Sequence, residues 1–111
     1  MAHARSSYET SGSCDGFPRV PLKSPSGTCV GLVTSGLRFP RSLAVRGDTV
    51  YVVDMGGWQR NRGRLLAFGQ NGHGPGKVLL TGLDRPSGLA FTSDGQLYIG
   101  VPDRVLRVIL H

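Results

Sequence analysis

Short apolar runs recur along the chain, and each is bounded by residues that favour turns. Runs of this length, rich in β-branched and aromatic residues, predict β-strands rather than helices. Between residues 36 and 81 they predict four strands, namely Ser42–Val45, Thr49–Val53, Arg64–Phe68 and Lys77–Thr81. In the second strand, Val50 and Val52 point to one face. Tyr51 and Val53 point to the other, so we expect this sheet to be covered on both faces.

Turn-forming residues separate these strands. Pro40, which lacks the N–H that a sheet ladder requires, stands before the first strand. Gly47–Asp48 is predicted to form a tight turn, and Gly69–Gly76 a glycine-rich connection to the fourth strand. The four predicted strands therefore form one antiparallel unit with short connections.

The same pattern returns with a period near 46 residues. The matched positions are Gly36 with Gly82, Pro40 with Pro86, Leu43–Ala44 with Leu89–Ala90 and, after one inserted residue, Tyr51 with Tyr98. Downstream, Gly63–Phe68 resembles Asp103–Val108, and the first copy is longer because of an insertion around residues 56–61. A repeat of this length indicates an architecture in which identical units stack.

Four strands, a period in the forties and two apolar faces are typical of a β-propeller blade. The sequence thus predicts an all-β fold, a partial β-propeller of about one and a half four-stranded antiparallel blades preceded by an irregular N-terminal segment. We expect a flexible segment at 1–13, an irregular lead-in at 14–35, a first blade at 36–81 and an incomplete second blade at 82–111.

A propeller needs four to eight blades, roughly 160 residues or more. We therefore expect the chain to be the N-terminal portion of a larger propeller, or to depend on a partner. The second blade ends in a third strand, which leaves an unpaired apolar edge through which the chain is expected to self-associate.

Composition excludes several classes of protein. The 17 glycines and 7 prolines interrupt nearly every window long enough for a helix, and no apolar run has the roughly 18 residues of a membrane span. The net charge of +6 comes from arginines scattered along the chain without a basic run, so no nucleic-acid partner is predicted.

Two cysteines, Cys14 and Cys29, lie in a stretch rich in proline and glycine. One interpretation is a disulfide that closes this lead-in, which would require an oxidising compartment. The other is a pair of unrelated thiols in a cytosolic protein. No signal peptide is visible in Met1–Ser13, and the spacing of His3, His73 and His111 does not fit a zinc site.

Candidate chemistry gathers where loops leave one end of the first predicted blade. The residues expected there are Arg41, Asp54, Trp58, Arg60 and Arg62. Guanidinium groups suit bidentate recognition of carboxylates, and an indole offers a flat stacking surface. One interpretation is a site for an anionic, planar or sugar-like ligand. The other is a solvated, salt-bridged loop in which Trp58 covers the edge of the blade.

Three segments, Gly36–Ala44, Val50–Trp58 and Asn61–Leu65, resemble the glucose/sorbosone dehydrogenase family. The lead-in Thr28–Val33 is similar to the approach to that family's first blade, and the resemblance covers about 95 of the 111 residues. These proteins are quinoproteins that use pyrroloquinoline quinone (PQQ) and calcium. The resemblance implies an exported, usually six-bladed enzyme, periplasmic or secreted, which oxidises an aldose or aldehyde and passes electrons to an acceptor.

What the resemblance assigns to this chain is limited. It implies only that Arg41 contacts a PQQ carboxylate. Arg62 and Trp58 are further candidate cofactor-binding residues because of their predicted place in the insertion between the second and third strands. No residue matches the family's catalytic histidine, so the base and the calcium site are expected on other blades. The chain alone is accordingly expected to be inactive and to bind PQQ without high affinity.

Two other functions fit parts of the same pattern. The run Gly82–Phe91 and the turn Asp94–Gly95 are shared by many propellers, which would suit a non-enzymatic binding module of the NHL-repeat type. A gluconolactonase-like hydrolase is the other, but it would need metal-binding acidic residues that the sequence does not display.

Overall fold

The computed structural model describes residues 8–110, so residues 1–7 of the predicted flexible segment, with His3, and the last residue, His111, lie outside it. The described chain is all-β, with three antiparallel sheets, none of which closes on itself. The strands are β1 Ser13–Cys14, β2 Phe17–Val20, β3 Val30–Gly31, β4 Pro40–Arg46, β5 Thr49–Asp54, β6 Gly63–Phe68, β7 Gly76–Leu83, β8 Gly88–Phe91, β9 Leu97–Val101 and β10 Arg104–Val108.

Two compact units divide the chain, Met1–Gly36 and Leu37–His111. The first contains a small sheet in the order β1-β2-β3. Its β1–β2 hairpin turns at Asp15 and Gly16, both with positive φ (51° and 82°), which is the geometry that an Asp-Gly pair favours in a two-residue hairpin. A disulfide joins Cys14 to Cys29 across a sequence separation of 15 residues, with a Cα–Cα distance of 5.9 Å.

The second unit consists of a four-stranded sheet, β4-β5-β6-β7, and a C-terminal sheet, β8-β9-β10. Each neighbouring pair of strands is antiparallel and consecutive in sequence. All four strands predicted between residues 36 and 81 are confirmed, because each lies inside an observed strand. The connection before β7 contains a short 3₁₀ turn, Gln70–Gly72.

The predicted repeat is present in the strand register. In the four-stranded sheet Leu43 pairs with Val52 and Val45 with Val50. The equivalent pairs in the C-terminal sheet are Leu89 with Ile99 and Phe91 with Leu97. Ala44 with Tyr51, and Ala90 with Tyr98, are equivalent in the same way. The two sheets therefore repeat one register, residue by residue.

Each sheet has two faces, which we name by their side chains. The front face of the four-stranded sheet carries Tyr51 and Val53, and its back face carries Val50 and Val52. In the C-terminal sheet the equivalent front face carries Tyr98 and Gly100, and the back face carries Leu97 and Ile99. The prediction that both faces of β5 are apolar is thus confirmed.

The main core lies between the two sheets. The front face of the four-stranded sheet packs on the back face of the C-terminal sheet, and the buried residues are Val53, Leu65, Leu83, Leu97 and Ile99. The rings of Tyr51 and Phe91 meet edge to face across this core, with centroids 5.0 Å apart. Burial of this apolar surface holds the sheets together.

A second apolar cluster lies on the back face of the four-stranded sheet. It contains the buried side chains of Val52, Leu66 and Phe68, against which Leu37 and Val50 pack. Among the described residues there is no helix long and apolar enough to cross a membrane.

Candidate functional site

The candidate residues are brought together by one strand pairing. Pro40 opens β4, and Asp54 closes β5, and these two residues are partners in the ladder, with a bulge between Pro40 and Ser42. The segment before β4 and the loop between β5 and β6 therefore leave the same end of the four-stranded sheet. The candidate residues lie at this end of the sheet: Arg41 is the second residue of β4, Asp54 is the last residue of β5, and Trp58, Arg60 and Arg62 lie in the loop between β5 and β6.

Asp54 anchors the two segments to each other. Its carboxylate is 1% exposed. It accepts the Arg38 backbone N–H with both oxygens, at 2.9 and 3.1 Å, and the Arg64 guanidinium at 3.0 Å. A buried carboxylate needs such partners, so Asp54 is occupied in holding the loop and is not directed at solvent.

Backbone contacts fix the rest of the loop. The Met55 N–H donates to the Phe39 carbonyl and the Gly57 N–H to the Arg38 carbonyl, each at 2.9 Å. At Gly56, with φ +79°, a β-carbon would lie 2.2 Å from the Arg62 carbonyl oxygen. The loop can therefore fold back on itself only with glycine at this position.

Phe39, Arg41 and Trp58, which we call the Arg41 cluster, form an exposed surface at this end of the sheet. The Arg41 guanidinium carbon lies 5.2 Å from the Phe39 ring centroid and 5.6 Å from that of Trp58. The two rings meet edge to face at 6.0 Å. Arg41 also donates to the Met55 sulfur at 3.5 Å, so the guanidinium is held in place without a carboxylate partner among the described residues.

Phe39 is held in a strained conformation. Its φ is 92°, in a region that a bulky side chain rarely adopts. Strain of this kind persists only where the surroundings impose it, and it is common at ligand sites. Here the hydrogen bond from Met55 and the contact with Trp58 impose it.

The structure brings some of the predicted residues together and separates others. Arg41 and Trp58 are in contact, and Trp58 is 71% exposed, so its indole is available to a ligand. Arg60 instead pairs with Asp84 at 3.5 Å. In the part of the chain that the structure describes, the Arg62 side chain makes no hydrogen bond, ion pair or cation–π contact with any of the three members of the Arg41 cluster.

The charges around the site are unevenly paired. Arg60 and Arg85 share Asp84, and the hydrogen bond from Arg85 lowers the pKa of Asp84 below its ordinary value. Arg38, Arg41 and Arg62, by contrast, have no carboxylate partner for their side chains within the described range 8–110. This end of the sheet therefore carries an excess of positive charge beside an exposed indole, an arrangement suited to a planar anion.

The groove that the structure shows lies away from the Arg41 cluster, and the described residues form no metal site. A groove of about 360 Å³, lined by Thr49, Gln70 and Lys77 among others, lies at the opposite end of the four-stranded sheet. Within residues 8–110 no three His, Cys, Asp or Glu side chains lie close enough together to hold a metal ion. The Arg41 cluster is an open surface.

Sequence reasoning missed two contributions to this site. Phe39 was not singled out, although an aromatic residue before the proline that opens a strand is a usable signal. The role of Asp54 as an internal anchor also went unpredicted, although a carboxylate that ends an apolar strand must find partners when the strand is buried.

Comparisons with known proteins add no family to this picture. A scan against protein-family models finds no match, and neither does a search of the curated proteins.

Proposed function

We propose that this chain forms one blade and part of a second blade of a β-propeller, and that the propeller is a PQQ-dependent sugar dehydrogenase of the glucose/sorbosone type. The observation that carries the proposal is the Arg41 cluster, in which a guanidinium without a carboxylate partner is held beside an exposed indole. The repeated register of the two sheets, each apolar on both faces, supports the propeller.

The residues present suit one edge of the cofactor. PQQ is planar and carries carboxylates, and when bound it supplies the two-electron acceptor for oxidation of an aldose. Arg41 would donate a pair of hydrogen bonds to a carboxylate, because its planar fork matches that geometry. Trp58 would offer its face for stacking, and Arg38 and Arg62 would add long-range attraction for the anion.

The same proposal leaves the calcium site and the catalytic base outside these residues. The Cys14–Cys29 disulfide agrees with an oxidising compartment, and periplasmic or secreted localisation is part of the proposal.

A titration of the chain with PQQ tests the cofactor site. Trp58 is the single tryptophan of the chain, so quenching of its fluorescence reports directly on the cluster. We expect weak, saturable quenching with a dissociation constant above about 1 μM, weakened at least tenfold by Arg41→Ala. Arg104→Ala, at a side chain that is 75% exposed on β10, is the matched control and should bind as the parent does.

Two results would count against this site. Absence of saturable quenching would show that PQQ does not bind at the Arg41 cluster. Stoichiometric submicromolar binding would contradict the expectation that one blade and part of a second form only part of the cofactor site. For the activity, the complete reading frame that contains this chain should be loaded with PQQ and calcium and assayed for dye reduction by aldoses and aldehydes. Absence of dye reduction with every aldose and aldehyde tested would refute the proposed dehydrogenase activity.

A non-enzymatic propeller of the NHL type is the second candidate. It is favoured by the tight packing around Pro86, which belongs to the run Gly82–Phe91 that many propellers share. A β-carbon at Gly63 would lie 2.3 Å from the Pro86 ring. That contact serves the fold and requires no cofactor. Dye reduction that depends on PQQ would exclude this alternative.

A further inference from the structure

A groove opens on the front face of the four-stranded sheet, at the end away from the Arg41 cluster. Its volume of about 360 Å³ lies within the range of pockets that hold small molecules. One row of the strand ladder crosses the groove, because Tyr51 pairs with Ala67 and Ala67 pairs with Lys77. The floor of the groove is therefore formed by hydrogen-bonded strands.

Ala67 makes room in the middle of this floor. It stands between Tyr51 and Lys77, so these two longer side chains start two strand spacings apart, roughly 10 Å. In the C-terminal sheet the equivalent position, opposite Tyr98, is occupied by Arg107. The repeat therefore accepts a long side chain at this position, and alanine leaves that space open in the four-stranded sheet.

One wall of the groove is a strained turn that backbone hydrogen bonds hold in place. Gln70 and Asn71 both have positive φ, 54° and 57°, which is uncommon for residues with a side chain. The Asn71 N–H donates to the Asp48 carbonyl of the β4–β5 hairpin at 2.6 Å. The Gly74 N–H donates to the Gly69 carbonyl at 2.9 Å. These contacts impose the strain and hold Gln70 at the rim of the groove.

Apolar surface and unpaired donors meet in the groove. Leu79 and Leu110, which are 38% and 40% exposed, line it together with Tyr51. Lys77 is the one charged residue among the described residues that line it. Within residues 8–110, the Lys77 ammonium and the Gln70 side-chain amide have no hydrogen bond or ion pair with another residue. The groove thus offers one positive charge and one amide donor beside apolar surface.

We propose that the groove binds an aromatic monocarboxylate, a small acid in which one carboxylate is attached to a flat apolar ring. The carboxylate would accept hydrogen bonds from Lys77 and Gln70, and such charge-assisted contacts are stronger than neutral ones. The ring would lie over Ala67, where it would meet Tyr51. A single lysine suits a monoanion, because a phosphate group carries about two charges and three acceptor oxygens that need more donors.

Two-dimensional nitrogen–proton NMR during a titration with 2-naphthoate tests the proposal. We expect saturable shifts of the amides that line the groove, in segments 67–70 and 74–79, with a dissociation constant of about 1 mM or tighter. Lys77→Met should weaken binding at least about tenfold, because it removes the charge from the groove. Lys23→Met, at the other lysine of the chain and exposed in the first unit, is the matched control and should bind as the parent does.

Two further comparisons separate the shape of the groove from its charge. Ala67→Leu fills the floor and leaves the charge in place, and it should also weaken binding at least about tenfold. Circular dichroism confirms that this variant is folded. 2-Naphthamide has nearly the same shape as 2-naphthoate and no charge, and it should bind at least about tenfold more weakly than the acid.

Three results would overturn the proposal. They are groove shifts that are absent or do not saturate, binding that survives Lys77→Met with the affinity of the parent, and shifts confined to Trp58 and its loop. The Trp58 indole N–H reports naphthoate at the Arg41 cluster separately, because that cluster lies at the other end of the sheet. PQQ takes no part in these measurements, so their outcome leaves the cofactor proposal untouched.

Discussion

The Asp54 carboxylate connects the end of β5 to Arg38, which lies just before β4, and to Arg64 in β6. Asp54 is 1% exposed and its carboxylate accepts two backbone contacts from Arg38 and one from Arg64. Removal of a buried carboxylate leaves its donors without a partner, which costs more than the interaction contributes. The Arg64 side chain is 35% exposed and can reach water in part, so the penalty is moderated.

We expect Asp54→Ala to lower the free energy of unfolding by about 2–4 kcal/mol. Urea denaturation followed by circular dichroism at a fixed protein concentration measures it. The matched control is Asp103→Ala, which removes a carboxylate paired with Arg104 at a position where both side chains are more than 70% exposed. A surface pair of this kind contributes less than about 1 kcal/mol. Equal effects of the two substitutions would refute the anchoring role of Asp54.

The same residues show how far a sequence can predict a site. Arg41 and Trp58 are expected to meet because they lie on segments that leave one end of a hairpin, and the register of Pro40 with Asp54 places them there. The pairing of Arg60 with Asp84 was not predictable, because those residues are distant in sequence and their contact depends on how a loop crosses the second repeat. The partners of loop side chains depend on tertiary packing, whereas the ends of strands can be predicted from the pattern of apolar and turn-forming residues.

The loop between β5 and β6 depends on two consecutive glycines that differ in their surroundings. Both Gly56 and Gly57 have positive φ, +79° and +90°. A β-carbon at Gly56 would lie 2.2 Å from the Arg62 carbonyl oxygen, whereas one at Gly57 would meet no atom within 4 Å. The first glycine is required by space and conformation, and the second by conformation alone.

Gly57→Ala is expected to cost about 1–2 kcal/mol, the penalty of a left-handed backbone for an L-residue. Gly56→Ala should cost at least about 1 kcal/mol more, because the Arg62 backbone must also move. Urea denaturation of both variants gives the difference, and each serves as the other's control. Gly56→Ala should in addition change the Trp58 emission spectrum. A Gly57 variant at least as unstable as the Gly56 variant would contradict the close approach.

Strand prediction succeeded where alternation extended over several residues and failed where elements were short. The four strands between residues 36 and 81 follow from hydrophobic pattern and turn residues. The small sheet of β1–β3 was not predicted, because β1 and β3 have two residues each and show no alternation. Its one local signal was Asp15–Gly16, a pair that favours the two-residue hairpin observed there.

The disulfide should stabilise this small sheet, whose strands bury little apolar surface of their own. In the chain-entropy model, a disulfide that closes a loop of 15 residues, as between Cys14 and Cys29, stabilises the folded state by about 3 kcal/mol. We expect reduction and alkylation to abolish hydrogen-exchange protection of the amides in residues 13–31. The oxidised chain, treated with the alkylating agent alone, is the control. Protection that survives reduction would show that the sheet is stable without the bond.

The second unit as a whole depends on the contact between its two sheets, a feature that the repeat predicts and local pattern alone does not. Ile99 and Val53, one from each sheet, are fully buried in the same cluster. Neither sheet can bury its side chains of this cluster without the other. The repeat explains why equivalent side chains are apolar in both sheets. The structure adds which face of each sheet packs against the other sheet.

Ile99→Ala is therefore expected to destabilise the unit by about 2–5 kcal/mol, the cost of a cavity in a packed core. Because the cluster is shared, both sheets should lose hydrogen-exchange protection together, in β5 as much as in β9. Ile109→Ala, at a residue that is 56% exposed, is the matched control and should change stability by no more than about 0.5 kcal/mol. All three proteins are compared at one concentration, since association would raise apparent stability. Protection that is lost in β9 but kept in β5 would mean that the four-stranded sheet is stable by itself.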